Sequence, residues 1–384
     1  MINRVSTVVF VQMAGSKTSK GTGGGLIFQE ALASSLIERG LNVYAITNPS
    51  DTYGFQFLEK NRLVARYTAS STGSVGLLFF DSRKLKAELR SAISDLPNDA
   101  IFVTIDPFPA DILAAKVLKR SGRRAVVTMY HITPSPMFHP FRRGPFRSII
   151  AWLISLNALL FVKLYQVPLF LDNRRIASEM GWQFSRNLLE MPLALPSYSM
   201  NKVKGGKKYA CFLGRLAKNK GILDLIRAWR MVRSQVPDAL LYIMGRDFGN
   251  GRYQKLIRRY RLQDSVVITD FLDEKAKEEI MDECSLFIFP SYEEGWGLAV
   301  MEAIDMGLLP IVYDLPAYDY MCSSENKVRV SDVRSLASKV AYYFTHDEER
   351  SELVKKLQGC ISGFTINRVT DVWLDQVNNY FFEV

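Results

Sequence analysis

A strand–helix alternation that runs twice through the chain is the feature that most constrains its fold. In the first half, short runs rich in Val, Ile, Phe and Thr alternate with helical patterns. These runs lack the strict apolar–polar alternation of a sheet with one solvent-exposed face. They are therefore typical of parallel strands that are buried on both faces. The strands are predicted at Val5–Val11, Leu41–Thr47, Ile101–Ile105, Ala125–Met129 and Val167–Leu171. The helices between them are predicted at Leu26–Arg39, Arg83–Ser94, Ala110–Arg120 and Phe146–Lys163.

The second half repeats the same rhythm. Its strands are predicted at Tyr209–Leu213, Leu240–Met244, Val266–Thr269, Leu286–Phe289 and Pro310–Tyr313. Its helices are predicted at Ile222–Gln235, Tyr253–Tyr260, Glu274–Cys284, Leu298–Met306, Arg334–Phe344 and Glu348–Leu357. A strand–helix–strand order in both halves predicts an α/β protein of two Rossmann-like domains with parallel sheets.

A segment rich in Pro, Gly and Lys at residues 191–208 is predicted to link the two domains. The predicted domains are residues 1–196 and 197–363. The remaining segment, 364–384, is predicted to be a helix that crosses back to the first domain. Two such domains would place the carboxyl ends of two parallel sheets on either side of a cleft, and open α/β sheets bind their ligands at those ends.

Composition narrows the classes of partner. The chain has 49 Lys and Arg against 39 Asp and Glu, a net charge of +10, which favours a polyanionic partner such as nucleic acid, an anionic membrane or a phosphorylated small molecule. The four cysteines form no C-x-x-C pair, and the three histidines are scattered, so neither a metal site nor a bound cofactor is predicted. The N-terminus does not have the pattern of a signal peptide, so a cytoplasmic location is expected.

The strongest motif lies between Phe289 and Gly307, where a predicted strand passes through a glycine-rich turn into a helix. Gly295 and Gly297 permit tight backbone geometry, and the N–H groups near Gly297, Leu298 and Ala299 can bind phosphate at the helix start. Two carboxylates, Glu294 and Glu302, can accept hydrogen bonds from sugar and ribose hydroxyls. The bland alternative is an exposed helix with ordinary surface glutamates.

A second motif, Phe212–Ile226, also runs from a strand through a loop into a helix. Its loop holds Arg215 and Lys220, two cations suited to a diphosphate. On its own, this loop would indicate no more than a solvated basic turn. Its place in the same predicted sheet as the glutamate motif favours a shared site.

In order and spacing, these two motifs resemble the donor domain of the retaining nucleotide-sugar glycosyltransferases of family four (group 1), which have the GT-B fold. The resemblance covers about Tyr209–Val312. It implies that Arg215 and Lys220 bind the donor diphosphate, that Glu294 contacts the transferred sugar and that Glu302 contacts the ribose. The family usually has Phe where Trp296 stands.

The first domain resembles the family more loosely, as its acceptor-binding domain. Gly24 and Gly25 follow the first strand and open a helix, where the resemblance implies a role near the diphosphate; a plain helix start is the alternative. His131 ends the strand Ala125–Tyr130, where a family histidine contacts the donor sugar; a buried structural histidine is the alternative.

The implied reaction is metal-independent transfer of a hexose from a nucleotide-diphosphate sugar to an acceptor hydroxyl, with retention of configuration. In it, Arg215 and Lys220 would stabilise charge on the leaving diphosphate. Two other functions stay open: a GT-B nucleotide-sugar epimerase, and a nucleic-acid-binding protein that uses the basic segment 252–261. The second is the weaker alternative, because such a run is more often a solvated helix face.

A basic, aromatic segment leads into a long apolar helix between Phe138 and Lys163. Its uninterrupted stretch of 15 residues, 148–162, is shorter than the roughly 20 residues that span a bilayer. The helix is therefore expected either to be buried against the sheet or to lie in a membrane interface with Arg142, Arg143 and Arg147 at the headgroups. With the positive charge, this segment suggests a glycan or lipid-linked acceptor at an anionic membrane surface.

Overall fold

The apolar runs of the first half pair into one parallel sheet. The computed structural model describes residues 5–12, 24–47, 63–64, 82–105, 108–129, 145–172, 187–196, 203, 207–247, 251–270 and 272–382. The elements up to residue 190 are β1 (Thr7–Gln12), α1 (Gly24–Glu38), β2 (Asn42–Thr47), β3 (Leu63–Val64), α2 (Ser82–Ile93), β4 (Ile101–Thr104), α3 (Pro109–Arg120), β5 (Arg124–Met129), α4 (Pro145–Tyr165), β6 (Leu169–Leu171) and β7 (Leu188–Glu190). The sheet order is β3-β2-β1-β4-β5-β6-β7.

The central strands of this sheet are buried on both faces, as their sequences predict. Residues 8–11 of β1 and all of β4 are buried, and β1 pairs in parallel with β2 on one side and β4 on the other. The core on one face is built from the sheet and the buried sides of α2, α3 and α4. The strand order reverses between β1 and β4, which makes that point the topological switch of the sheet.

The second half forms a parallel sheet of its own. Its elements are β8 (Tyr209–Leu213), α5 (Ile222–Gln235), β9 (Leu240–Met244), α6 (Arg252–Arg259), β10 (Val266–Thr269), α7 (Glu274–Glu283), β11 (Leu286–Phe289), α8 (Leu298–Asp305), β12 (Leu309–Tyr313), β13 (Lys327–Val328), α9 (Val333–Tyr343) and α10 (Asp347–Ile361). The sheet order is β10-β9-β8-β11-β12-β13, so the switch lies between β8 and β11. The chain forms two compact units, and Ser197–Gly363 belong to the second.

The last helix, α11 (Ile366–Phe382), returns to the first unit, which confirms that expectation. It packs along α1, where Arg39 forms an ion pair of 2.9 Å with Asp371. Trp373 is fully buried and stacks on Phe170 of β6, with ring centroids 6.2 Å apart. The Tyr380 hydroxyl donates to the Gln166 carbonyl over 3.0 Å, which ties the end of α11 to the turn before β6.

Helix α4 is buried against the sheet on one side, as one of its two alternatives predicts, and the membrane-interface alternative stays a prediction. One side, with Ala158, Leu159 and Val162, is buried against the sheet. Large apolar side chains on another side, including Leu153 and Leu164, are exposed. Among the described residues, no helix has the length and apolar character needed to cross a membrane.

The differences from the predicted elements are confined to short pieces and ends. Strand β6 begins at Leu169, not at Val167. Three strands of two or three residues, β3, β7 and β13, were not predicted, because so short a run carries no period. Most other helix and strand ends agree within two residues, and α10 extends to Ile361.

Candidate functional site

The two motifs of the second unit meet because the strands that precede them are neighbours. Strand β11 pairs with β8, so the loop after Leu213 and the loop after Phe289 leave the same edge of the sheet. A backbone hydrogen bond of 2.9 Å from Tyr292 N–H to the Asn219 carbonyl joins the loops. This edge is the switch point, where open α/β sheets bind ligands.

Lys220 and Glu294 come together at this edge as a close ion pair. Their side chains are only 15% and 12% exposed, so the pair is largely removed from water. The Lys220 ammonium also lies 5.5 Å from the centre of the Phe289 ring, within cation–π range. The residues predicted to hold the diphosphate and the transferred sugar are therefore in direct contact.

Gly221, which follows Lys220, brings the two loops into close contact. Its φ of 70° lies in the left-handed region, and it caps both the 3-10 turn Lys218–Lys220 and helix α5. A Cβ atom at this position would stand 1.9 Å from the Pro290 carbonyl oxygen. Only glycine permits this approach, so Gly221 sets how closely Lys220 can reach the loop that carries Glu294.

The start of α8 is open to an anion. Gly297, with φ of 96°, caps the helix without a side-chain acceptor, so the first-turn N–H groups at Leu298 and Ala299 are not capped by a side chain. Gly295 and Gly297 are buried, whereas Leu298 and Ala299 are half-buried. This arrangement matches the predicted phosphate-binding turn, although its role as a donor site stays a prediction.

Tyr318 lies directly beneath this turn, and the sequence motifs did not point to it. A Cβ atom on Gly297 would be 2.7 Å from Tyr318 Cε1, so the ring fills the space that a side chain would need. The hydroxyl group is buried and has no hydrogen-bond partner among the described residues. Burial, reinforced by the neighbouring Glu294 carboxylate, raises the pKa of Tyr318 well above its usual value.

Glu302 lies in the second turn of α8 and forms a close ion pair with Lys277 of α7, which also contacts Glu274. Burial raises the pKa of Glu302, and Lys277 opposes that rise. Burial lowers the pKa of Lys277, but the two carboxylates outweigh it and leave the pKa raised. Lys277 belongs to neither motif, so only the packing of α7 against this edge reveals its role.

Asp224 of α5 holds the loop that carries Glu294 in place. This buried carboxylate on α5 accepts hydrogen bonds from the Tyr292 hydroxyl and, over 2.8 Å, from the Tyr313 hydroxyl. The two tyrosine rings lie 5.4 Å apart. Tyr292 stands two residues before Glu294, so this network holds the loop that presents the carboxylate to Lys220.

Of the other predicted site residues, Arg215 is carried by one of the loops at this edge of the second sheet. Arg215 is exposed in the loop after β8, and among the described residues no acidic side chain pairs with it. Gly24 and Gly25 form the start of α1 in the first unit. His131, Arg142 and Arg143 lie outside the described residues.

The basic helix α6 has the amphipathic arrangement of an ordinary surface helix. Tyr253 and Ile257 are buried, while Arg258 and Arg259 are exposed. This arrangement agrees with the alternative that the basic segment is simply the solvated face of a helix. Within the described part of the chain, no three His, Cys, Asp or Glu side chains are grouped to hold a metal ion.

Comparison with known proteins supports the resemblance. Residues 199–358 match the family described as glycosyl transferases group 1. The chain is 26% identical over 167 residues to the uncharacterised glycosyltransferase YqgM of Bacillus subtilis, a match that covers 41% of this chain and 46% of that protein. It is 28% identical over 118 residues to the GDP-mannose:cellobiosyl-diphosphopolyprenol alpha-mannosyltransferase of Xanthomonas oryzae, covering 30% of this chain and 31% of the relative.

The fold of the whole chain is similar to that of solved structures. Anabaena HepE in complex with UDP and glucose superposes with a TM-score of 0.73 at 14% identity, covering 97% of this chain and 100% of that one. The curated relatives are therefore matched over less than half of their length, whereas the fold match covers 97% of this chain. The GT-B fold is confirmed, and the resemblance to group 1 glycosyltransferases is confirmed for residues 199–358.

Proposed function

We propose that this protein is a retaining glycosyltransferase that moves a hexose from a nucleotide-diphosphate sugar to an acceptor hydroxyl. The observation that carries the proposal is the Lys220–Glu294 pair at the switch point of the second sheet. A largely buried cation and a carboxylate at this edge suit the two ends of the bond to be broken: the diphosphate is negative, and the sugar is rich in hydroxyl groups. The match of residues 199–358 to group 1 glycosyltransferases supports this reaction class.

Negative charge grows on the leaving diphosphate as the anomeric C–O bond breaks. Lys220, Arg215 and the open start of α8 are the groups that would stabilise it, because fixed donors act most strongly where charge develops. These groups supply positive potential without a divalent ion, so we propose a reaction that needs neither metal nor cofactor.

The two glutamates bind different parts of the donor. Glu294 uses one carboxylate oxygen toward Lys220 and has its other oxygen for a hydroxyl of the transferred hexose. Glu302, held by Lys277, can accept hydrogen bonds from the two ribose hydroxyls in the same way. In each case the lysine fixes the rotamer of the carboxylate before the donor binds.

We propose attack on the same face of the sugar from which the diphosphate leaves. In this step the acceptor oxygen bonds to the anomeric carbon, the C–O bond to phosphate breaks, and the leaving phosphate oxygen takes the acceptor proton. A covalent glycosyl-enzyme would need a carboxylate free to act as nucleophile. The ion pair of Glu294 with Lys220 favours a binding role for that carboxylate instead.

We further propose that the acceptor is a glycan or lipid-linked glycan and that the protein works in the cytoplasm, at the inner face of the membrane. The similar Xanthomonas protein is named for transfer to a diphosphopolyprenol-linked sugar. The net charge of +10 supports attraction to such anionic, membrane-bound acceptors.

The test compares Glu294→Ala with Glu279→Ala, which removes a carboxylate exposed on α7. UDP-, GDP- and ADP-hexoses are screened by thermal shift to find the donor, since a bound donor raises the melting temperature. Transfer and the anomeric configuration of the product are then followed by NMR. We expect Glu294→Ala to stay folded and lose transfer, and Glu279→Ala to keep it.

Three outcomes would overturn the proposal. Full turnover by Glu294→Ala would remove the carboxylate from the reaction. Conversion of the donor to its epimer in a donor-only incubation would indicate an epimerase. Salt-dependent binding to arbitrary DNA, with no thermal shift from any nucleotide sugar, would indicate a nucleic-acid-binding protein.

A further inference from the structure

A cationic groove lies on the outer surface of the first unit, between α2 and α3. It encloses about 140 Å³ and is lined by Lys86 and Arg90 of α2 and by Lys116 and Arg120 of α3, with Leu113 and Val117 at its floor. No acidic residue is among these described lining residues. Each cation pair is spaced i, i+4, an arrangement that repels within a helix, and here two such pairs face each other. This concentration of positive charge calls for an anion from outside the chain.

The groove continues to the end of α4. The Lys116 ammonium lies 5.1 Å from the centre of the Tyr165 ring, and the Arg120 guanidinium lies 6.0 Å from it. Tyr165 is the last residue of α4, and α3 packs against both α2 and α4. The three helices therefore form one layer, in which the two α3 cations contact the last residue of α4.

The outer side of α4 carries large aliphatic side chains, with Asn157 exposed among them. Ile149, Leu153, Leu160 and Leu164 are 44%, 49%, 44% and 75% exposed. Their spacing of four, seven and four residues places them on one helical face. This stripe extends for about 22 Å along the helix at 1.5 Å per residue. Aligned large aliphatic side chains on a surface are typical of an interaction site.

We propose that the α2–α3–α4 layer docks on an anionic phospholipid bilayer, with lipid phosphates in the cationic groove and the α4 stripe among the headgroups and first acyl carbons. Two observations favour lipid over a protein partner. The charges on the groove have one sign, which matches a uniformly anionic surface. The exposed large apolar side chains of the stripe are all aliphatic, whereas the energetic centres of protein interfaces are rich in Trp, Tyr and Arg. The proposal extends the peripheral-membrane part of the proposed function and rests on it.

The test is flotation of the full-length protein with phosphatidylcholine vesicles, with and without phosphatidylglycerol, in the absence of donor and acceptor. We expect binding only to vesicles that contain phosphatidylglycerol. Lys86→Ala/Arg90→Ala should weaken that binding about 25-fold, because each surface cation contributes about fivefold at an anionic membrane. Leu160→Ser/Leu164→Ser should remove the part of the binding that resists high salt.

The matched control is Arg258→Ala/Arg259→Ala, which removes two exposed charges from α6 in the second unit. This variant should bind as the unaltered protein does. An equal loss in the control would show that net charge alone drives binding and would overturn the proposal. Equal binding to both kinds of vesicle would also overturn it. Release by free inorganic phosphate, matched in concentration to the lipid phosphate, would reassign the groove to a soluble anion. A failure in any of these arms leaves the transferase proposal standing, because glycosyl transfer to a soluble acceptor is measured separately.

Discussion

Two glycines at helix starts, Gly221 and Gly251, allow two effects of a substitution to be measured separately. One is the steric overlap with a neighbouring loop, and the other is the strain of the left-handed backbone. Gly221 begins α5 with φ of 70°, and Gly251 begins α6 with φ of 75°. A Cβ atom on Gly221 would be 1.9 Å from the Pro290 carbonyl oxygen, whereas on Gly251 its nearest neighbour would be the Gln254 side-chain oxygen at 3.9 Å. Gly221→Ala and Gly251→Ala therefore share the left-handed conformation and differ in the steric overlap.

The expected magnitudes follow from that difference. The left-handed conformation costs an L-residue about 1–2 kcal/mol, which is the whole expected effect of Gly251→Ala. In Gly221→Ala, relief of the overlap also moves backbone, at a further cost of about 1–3 kcal/mol. At about 2–4 °C per kcal/mol for a domain of this size, the melting temperature should fall by about 2–8 °C in Gly251→Ala and by about 4–20 °C in Gly221→Ala.

The assay combines calorimetry with nucleotide-sugar binding, measured well below both transitions. Because Gly221 sits between Lys220 and α5, moving it away from Pro290 pulls Lys220 from Glu294. Gly221→Ala should therefore also weaken donor binding, and Gly251→Ala should not. Equal losses of stability in the two variants, or unchanged donor binding in a folded Gly221→Ala protein, would refute this reasoning.

Three further results are expected. Lys277→Met should weaken binding of the nucleoside diphosphate about tenfold by calorimetric titration, because Glu302 loses its partner; an unchanged affinity would contradict this. Burial raises the pKa of Glu30 from 4.5 to about 7, so the folded chain retains a proton that the unfolded chain loses, and stability falls as pH rises through that window. Glu30→Gln should thus raise the melting temperature at about pH 8 and leave it unchanged at about pH 4; a pH-independent difference would exclude Glu30 as the cause. Tyr313→Phe removes a donor to the buried Asp224 carboxylate and should cost about 1.5–3 kcal/mol in urea unfolding; a loss near zero would show that the remaining donors, Tyr292 and Arg227, satisfy the carboxylate.

The fold was largely predictable because its local signals agree with one another. Helix α5 begins after Gly221 and ends before Pro237, and its predicted bounds are those of the structure. The predicted bounds of β8, β9, β10 and β11 also match, since each is a continuous apolar run. The edge strands β3 and β13 were missed, because two residues become a strand only when a neighbouring strand is present to pair with them.

The candidate site was predictable in its motifs but not in its contacts. Strand–turn–helix patterns pointed to Lys220 and Glu294, yet the ion pair between them depends on β8 and β11 being neighbours, which follows from the sheet order. Lys277 and Tyr318 carry no local pattern. They reach the site from α7 and from the loop after β12, so only tertiary packing reveals them.

The positive charge of the chain, +10 in total, is distributed unevenly between the candidate site and the groove. At the candidate site, Lys220 and Lys277 are each balanced by a glutamate, so a diphosphate bound as proposed would rely on exposed cations such as Arg215 and on the open helix start. The groove between α2 and α3 has the opposite design, with four cations and no acidic lining residue in the described structure. A balanced site can discriminate among sugars by hydrogen bonding, because its carboxylates are already held. An unbalanced groove has little basis for such discrimination and is suited to a surface of many equivalent phosphates. The excess positive charge is therefore better explained by the proposed membrane surface than by the proposed donor.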